Sequence, residues 1–450
     1  MSLARFMIAA PASGSGKTLI TCGILQALVN RGLKVSSFKC GPDYIDPMFH
    51  SKVIGTRSRN LDSYLCDDDT LRSLFCRSAE PSDISVIEGV MGFYDGIRAA
   101  ATEGSSHEVS RKLDAPVVLL VNCKGASVSC VPLIKGFKEF RENNIRGVIL
   151  NNMSPGVFGD IKPMIESELG LKVIGYVPKL KDINLESRHL GLVLPGEIES
   201  LKEDLNRLAS ILEDTLDIDA LITLANGAPA IEGVAPEHGV LKEKVKIGVA
   251  EDDAFCFTYQ DNLALLEECG AELVPFSPIK DLELPKDICG VIFSGGYPEL
   301  HGEALSSNTS MLKDVREKIL AGMPCMAECG GFMYLHKKME GSDGVVRDMV
   351  GIIDGEVHNT GKLTRFGYVT LTSEDKDSVL GTGCRGHEFH YWDSSDCGSS
   401  WKAVKTSGKE YRCGHENGTL VAGYPHLYYY SNPDVAYRFV FRCARYGKTQ

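Results

Sequence analysis

The chain has 450 residues, 43% of them apolar and 24% charged, a composition for globular domains with room for two or three cores. Forty-eight basic side chains against sixty acidic ones leave a net charge of −12, which argues against a nucleic-acid partner, since a phosphate backbone calls for a basic face, but leaves room for a local anion pocket. Fifteen cysteines without a C-x-x-C pair, no signal-peptide pattern and no apolar run of about 18 residues point to the reducing cytoplasm, to no membrane partner, and to cysteines used as small buried hydrophobes.

Apolar runs at 4–10, 33–39, 84–90, 115–122, 145–151 and 171–177 predict strands, with amphipathic segments such as 17–32 and 131–143 between them. Strands that are continuously apolar and alternate with helices predict a parallel α/β sheet. The acidic tract 67–69 predicts a solvated helix start. Residues 226–243, rich in Pro and Gly, predict a linker between a first domain, 1–225, and a second, 244–450. There a second α/β pattern starts: strands at 245–252, 271–277 and 288–296, and a helix at 261–270.

The segment Ser13-Gly14-Ser15-Gly16-Lys17-Thr18 joins the first strand to the first helix. Backbone N–H groups in such a loop converge on phosphate oxygens, the lysine adds a point charge, and the threonine hydroxyl can hold Mg²⁺. Pro11 stands where the first glycine of the usual pattern falls. Glu88, at the tip of an apolar strand, lies where open α/β sheets bind ligands. The rigid turn Lys39-Cys40-Gly41-Pro42-Asp43-Tyr44-Ile45-Asp46 presents Asp43, Asp46 and Lys39 together, although turn chemistry alone also accounts for the aspartates.

In the second domain, Cys329 stands at a strand-to-helix turn with Gly330 and Gly331 behind it, a nucleophile elbow whose helix end is expected to lower the thiol pKa. Cys325, four residues earlier, reads as a buried strand residue. Gly295 and Gly296 end a strand and offer N–H groups for an oxyanion. His426 follows an apolar strand and is a candidate base, in competition with His387 and His390.

The blocks SGSGKT, KCGPDYIDP, EGVMGFYDG, SRHLGLV (187–193), FSGGYPE, AECGGFMYL, GHEFHY and YPHLY occur in this order. Together they resemble the cobyrinate a,c-diamide synthase family across the whole chain. The resemblance implies an N-terminal P-loop domain similar to dethiobiotin synthetase and a C-terminal class I glutamine amidotransferase-like α/β domain. It also implies an ATP-dependent ligase that amidates the a and c acetates of cobyrinate with nitrogen from glutamine or ammonia. Cys329 matches the nucleophile and His426 its activating histidine, with Gly295, Gly296 and Gly330 around the glutamine amide. Tyr428 stands where many class I amidotransferases carry a glutamate that orients the histidine.

The resemblance further assigns Ser13 to Thr18 and Asn151 to ATP, the last as an adenine contact. It assigns Thr18, Asp43 and Glu88 to Mg²⁺, and Lys39, Tyr44 and Asp46 to the corrinoid. Arg57, Arg59 and Arg188 are further candidate anchors for its carboxylates. The expected partners are cobyrinate, glutamine, ATP and a second copy in a homodimer. Hydrogenobyrinate and Ni-sirohydrochlorin, the latter from coenzyme F430 synthesis, are alternative macrocycles. A partner-binding P-loop switch ATPase is the alternative of another class.

Overall fold

The structure, a computed structural model, describes residues 2–180 and 198–449. The block at 187–193 and Arg188 lie outside them. The chain divides into two compact units, Met1–Ala235 and Pro236–Gln450, and the division falls within the segment read as a linker.

The first unit is built on strands β1 (Arg5–Ala9), β2 (Val35–Cys40), β3 (Arg57–Leu61), β4 (Ile84–Glu88), β5 (Val117–Asn122), β6 (Ile145–Asn151) and β7 (Lys172–Val177). They form one parallel sheet in the order β3-β2-β4-β1-β5-β6-β7. Its central strands are buried on both faces, which is why they read as unbroken apolar runs. The helix Lys17–Asn30 packs Ile20, Ile24, Leu25 and Leu28 into a core shared with Phe6 and Ile8 of β1 and with Leu201, Leu205, Leu208 and Leu212 of the helix Ile198–Thr215. Asp67 caps the helix Asp68–Ala79 by accepting from the Thr70 N–H, so the acidic tract is a helix start. Strand β3 falls outside the predicted runs, because its sequence, RSRNL, has no apolar stretch. Arg57 and Arg59 lie on this edge strand.

The second unit carries two sheets made from β8 (Val245–Ala250), β9 (Ala271–Phe276), β10 (Val291–Phe293), β11 (Cys325–Glu328), β12 (His336–Glu340), β13 (Val346–Asp348), β14 (Ile353–Ser373), β15 (Cys384–Ser394), β16 (Trp401–Lys405), β17 (Glu410–Cys413), β18 (His415–Glu416), β19 (Leu420–Gly423) and β20 (His426–Leu427). The first has the order β18-β19-β11-β10-β8-β9 and is parallel apart from the β18 edge. The second has the order β13-β12-β14-β15-β20, with β16 and β17 continuing from β14. The core joins Phe255, Phe293 and Ala327 to Phe332, Tyr334 and Met339. The second sheet also falls outside the predicted strands, because β14 is bulged and half-exposed and so breaks its period of two.

Candidate functional site

Two groups of functional side chains emerge, one in each unit. In the first unit, β1 hands the chain to the loop 10–16, and the following helix opens on Lys17. Gly16 sits at φ 89°, and a Cβ there would come within 2.7 Å of the Asn151 side-chain nitrogen, so only glycine fits. Asn151, at the tip of β6, donates to the Ser15 carbonyl at 2.9 Å and braces the loop from below. Ser15 Oγ in turn donates to the Ala12 carbonyl. The Lys17 ammonium folds onto the Met91 carbonyl at 2.5 Å and the Ala12 carbonyl at 3.4 Å, a position from which it can exchange carbonyls for phosphate oxygens. Burial, with help from the Lys39 charge, lowers its pKa.

Register places Glu88 of β4 between Ile8 of β1 and Lys39 of β2. The Glu88 carboxylate accepts from Thr18 Oγ1 at 2.6 Å and from Lys39 Nζ at 2.7 Å. Lys39 also reaches Asp46 at 2.5 Å, and Thr18 lies 3.5 Å from the same carboxylate. Burial opposes the charge on Lys39, but Glu88 and Asp46 outweigh it and hold its pKa well above the ordinary value. Burial likewise works to raise Asp46, and the Lys39 ammonium overcomes it, so Asp46 sits below its ordinary value. These groups line a cavity of about 440 Å³ together with Ser13, Gly14 and Asp43.

Tyr44 is not among the lining residues; it precedes the short helix Ile45–Phe49. Asp43 uses one carboxylate oxygen to accept from the N–H groups of Ile45 and Asp46, the turn role the sequence allowed. Asp46, read as a substrate contact, lies 3.5 Å from Thr18 Oγ1 and shares the Lys39 ammonium with Glu88. Sequence reasoning missed His50, fully buried with its ring 3.6 Å from Glu88 and lowered to about 4 by burial. A lone histidine in a π-helical turn carries no motif that would have marked it.

In the second unit, Cys329 joins β11 to the helix Gly330–Tyr334 at φ 48°, a conformation that costs a non-glycine residue about 1–3 kcal/mol and occurs at functional turns. Its N–H donates to Gly423 of the neighbouring β19 at 2.9 Å, and its carbonyl accepts from Met333. A Cβ on Gly330 would lie 3.0 Å from the Gly296 nitrogen and 2.8 Å from Pro298, so the Gly-Gly loop presses on the elbow. A Cβ on Gly295 would collide with Cε1 of His426. Cys329, Gly295, Gly296, Gly330 and His426 thus form one group.

His426 lies on β20 opposite His387 of β15. His390 stacks on Tyr424 with centroids 3.9 Å apart and bonds the Trp392 carbonyl, a packing role. Burial, reinforced by His387 and His390, lowers His426 to about 3, which keeps it neutral and able to accept a proton. The thiol does not follow the expectation of a lowered pKa. Burial raises it, and the carboxyl of Glu299 adds to the shift. The helix behind it runs only from Gly330 to Tyr334, too short to reverse that cost. The resting pair is a neutral thiol and a neutral imidazole.

A P-loop sheet with a lysine–threonine–glutamate centre, joined in one chain to a cysteine elbow pressed by a glycine loop, defines a nucleotide-binding, glutamine-using ligase. The family described as CobQ/CobB/MinD/ParA nucleotide binding domain matches residues 6–193, and the CobB/CobQ-like glutamine amidotransferase domain matches residues 246–433. The cobyrinate a,c-diamide synthase of Caldanaerobacter subterraneus subsp. tengcongensis is 40% identical over 98% of this chain and 99% of its own length. Those of Priestia megaterium and Clostridium acetobutylicum are 38% and 39% identical, over 98% and 95% of this chain and 98% of each of theirs. The chain belongs to the cobyrinate a,c-diamide synthase family.

Proposed function

We propose that this chain converts cobyrinate to its a,c-diamide, activating each acetate carboxylate with ATP and taking nitrogen from glutamine or free ammonia. The reading is carried by the end-to-end likeness to cobyrinate a,c-diamide synthases.

In the glutamine half, neutral His426 takes the Cys329 proton and the thiolate sulfur attacks the side-chain amide carbon. The N–H groups of the Gly295–Gly296 loop and of Gly330 face the oxyanion. The carbon–nitrogen bond breaks, His426 returns the proton to the departing ammonia, and water hydrolyses the thioester to glutamate. In the synthetase half, the loop 13–18 holds the phosphates, and a carboxylate oxygen of the macrocycle attacks the γ-phosphorus to give an acyl phosphate and ADP. Ammonia then displaces phosphate to form the amide. Lys39, Tyr44 and Asp46 belong to the segment that meets the macrocycle, and Asn151 holds the adenine side.

The residues fit Mg²⁺: Thr18, Glu88 and Asp46, with Asp43 beside them, offer hard oxygen donors, and Glu88 Oε2 is buried with no hydrogen-bond partner among the described residues. When bound with ATP, the ion would neutralise charge on the transferring phosphoryl group. The enzyme works in the cytoplasm as a homodimer on this reading. Among the described residues no helix is long and apolar enough to cross a membrane.

Purified protein should be incubated with Mg-ATP, glutamine and, in turn, cobyrinate, hydrogenobyrinate and Ni-sirohydrochlorin. Two amide groups gained by cobyrinate support the reading. Turnover of the nickel macrocycle alone overturns it.

A further inference from the structure

His50 is fully buried against the Glu88 carboxylate, and neither of its ring nitrogens has a hydrogen-bond partner among the described residues. Keeping two polar atoms out of water in this way is costly, and an apolar side chain would fill the same space without that cost. The ring nitrogen Nε2 lies 3.6 Å from Glu88 Oε2, which is itself buried and without a hydrogen-bond partner among the described residues. A potential donor and an acceptor, both unpartnered, thus face each other about half an ångström beyond hydrogen-bond distance.

The backbone fixes the ring in this place. The short helix Ile45–Phe49 runs on into a wider, π-helical turn, His50–Ile54, an irregularity frequent at functional sites. The His50 carbonyl accepts from the Thr56 N–H and the Thr56 hydroxyl, both at 3.1 Å, and that hydroxyl lies 2.9 Å from the Ser37 hydroxyl. Ser37 precedes Lys39 by two residues on β2, so the two side chains share one face of the sheet. Register sets Glu88 of β4 beside Lys39. His50 is therefore pinned to the strand whose lysine bonds the same carboxylate. The two oxygens of that carboxylate are unequal: Oε1 accepts from Thr18 at 2.6 Å and from Lys39 at 2.7 Å, whereas Oε2 is held by no hydrogen bond among the described residues.

We propose that His50 is a positioning residue for the nucleotide's metal ion: its Nε2–H takes Glu88 Oε2 and sets the plane of the carboxylate that, with Thr18, receives Mg²⁺. The proposal rests on the reading of Thr18 and Glu88 as donors to that ion. An imidazole carries the proton on Nε2 as the cation or as one of its neutral tautomers, so the bond does not depend on its charge. Each carboxylate oxygen has two lone pairs, so a bond to His50 leaves the carboxylate able to meet the ion. Groups that hydrogen-bond a metal ligand from outside typically account for about 10–100-fold in metal affinity.

Nucleotide binding tests this without turnover. For the full chain, with no cobyrinate or glutamine present, the Kd of a fluorescent N-methylanthraniloyl-ATP is measured in EDTA and again in excess MgCl₂. The ratio of the two values is the coupling between ion and nucleotide. His50→Phe, which fills the space but lacks the N–H, should leave the EDTA value within about threefold of wild type and lower the ratio at least tenfold. His50→Gln, whose amide nitrogen can stand where Nε2 stands, should keep the ratio within about threefold of wild type. His50→Asn, whose amide is too short to reach Oε2, should lose it as His50→Phe does. A His50→Phe chain with the wild-type ratio overturns the proposal, and so does a His50→Gln chain no better than His50→Asn. Should His50→Phe bind no nucleotide even in EDTA, the comparison of His50→Gln with His50→Asn decides alone. A wild-type Kd indifferent to Mg²⁺ would instead sink the reading of Thr18 and Glu88 as metal donors.

Discussion

At the scale of single residues, the two sites differ in how they hold their charges. Lys39 in the first unit is a buried cation between two carboxylates, Glu88 and Asp46. Removing one partner from such a group strands the others and typically costs about 3–5 kcal/mol. Lys39→Met should therefore lower the stability of the first unit by roughly 3 kcal/mol, read from the midpoint of urea unfolding. A change of a few tenths would mean that the carboxylates are relieved by water. In the second unit Gly295 has no room for a side chain beside His426. Gly295→Ala should displace the imidazole and cut glutaminase kcat by roughly 100-fold while ammonia-supported synthesis persists, since small misplacements of a reacting group cost that much. Unchanged glutaminase kinetics would place the ring elsewhere in the working enzyme. Cys329, His426, Gly295 and Lys39 were all legible in the sequence because each sits in a short motif of small and rigid residues. His50 was not, since it approaches Glu88 from a π-helical turn with no motif of its own.

At the scale of elements, strands β12, β15 and β20 concentrate buried neutral histidines. Burial lowers His336 and His390 to about 4, and His387 and His426 to about 3. An unfolded histidine titrates near 6.5, so between about pH 6.5 and 4 the unfolded chain takes up protons that the folded chain refuses, and stability falls as the pH falls. Glu299 and Glu328 act in the opposite sense: burial raises them to about 7 and about 8, so their contribution is lost as the pH rises from about 4.3, where an unfolded glutamate ionises, through those values. Four histidines outweigh two glutamates near pH 5, and the second unit should melt at a lower temperature at pH 5 than at pH 7. Trp392 and Trp401, the two tryptophans of the chain, lie on β15 and β16, so tryptophan fluorescence follows this unit alone. Equal melting temperatures at the two pH values would contradict the histidine account. The parallel sheets were legible because buried strands leave continuous apolar runs, while β14 and β15 were not, because bulges and alternating exposure dilute the pattern.

At the scale of the whole molecule, the net charge of −12 sharpens what the first site must do. An acidic chain that takes up a polyanionic nucleotide must gather its cations locally, and Lys17 and Lys39 line one cavity. The fifteen cysteines divide in the same way: Cys329 alone stands on a strained elbow against a glycine loop, and those of the sheets serve as buried packing. On the proposed function labour is divided, with nitrogen released at Cys329 and carboxylates activated at Lys17. The most direct test counts amide groups on cobyrinate by mass after reaction with Mg-ATP, supplying either glutamine or ammonia to wild type, Cys329→Ser and Lys17→Ala. The diamide is expected from wild type with either nitrogen source, from Cys329→Ser with ammonia only, and from Lys17→Ala with neither. Diamide formed by Lys17→Ala on ammonia, or by Cys329→Ser on glutamine, would contradict it.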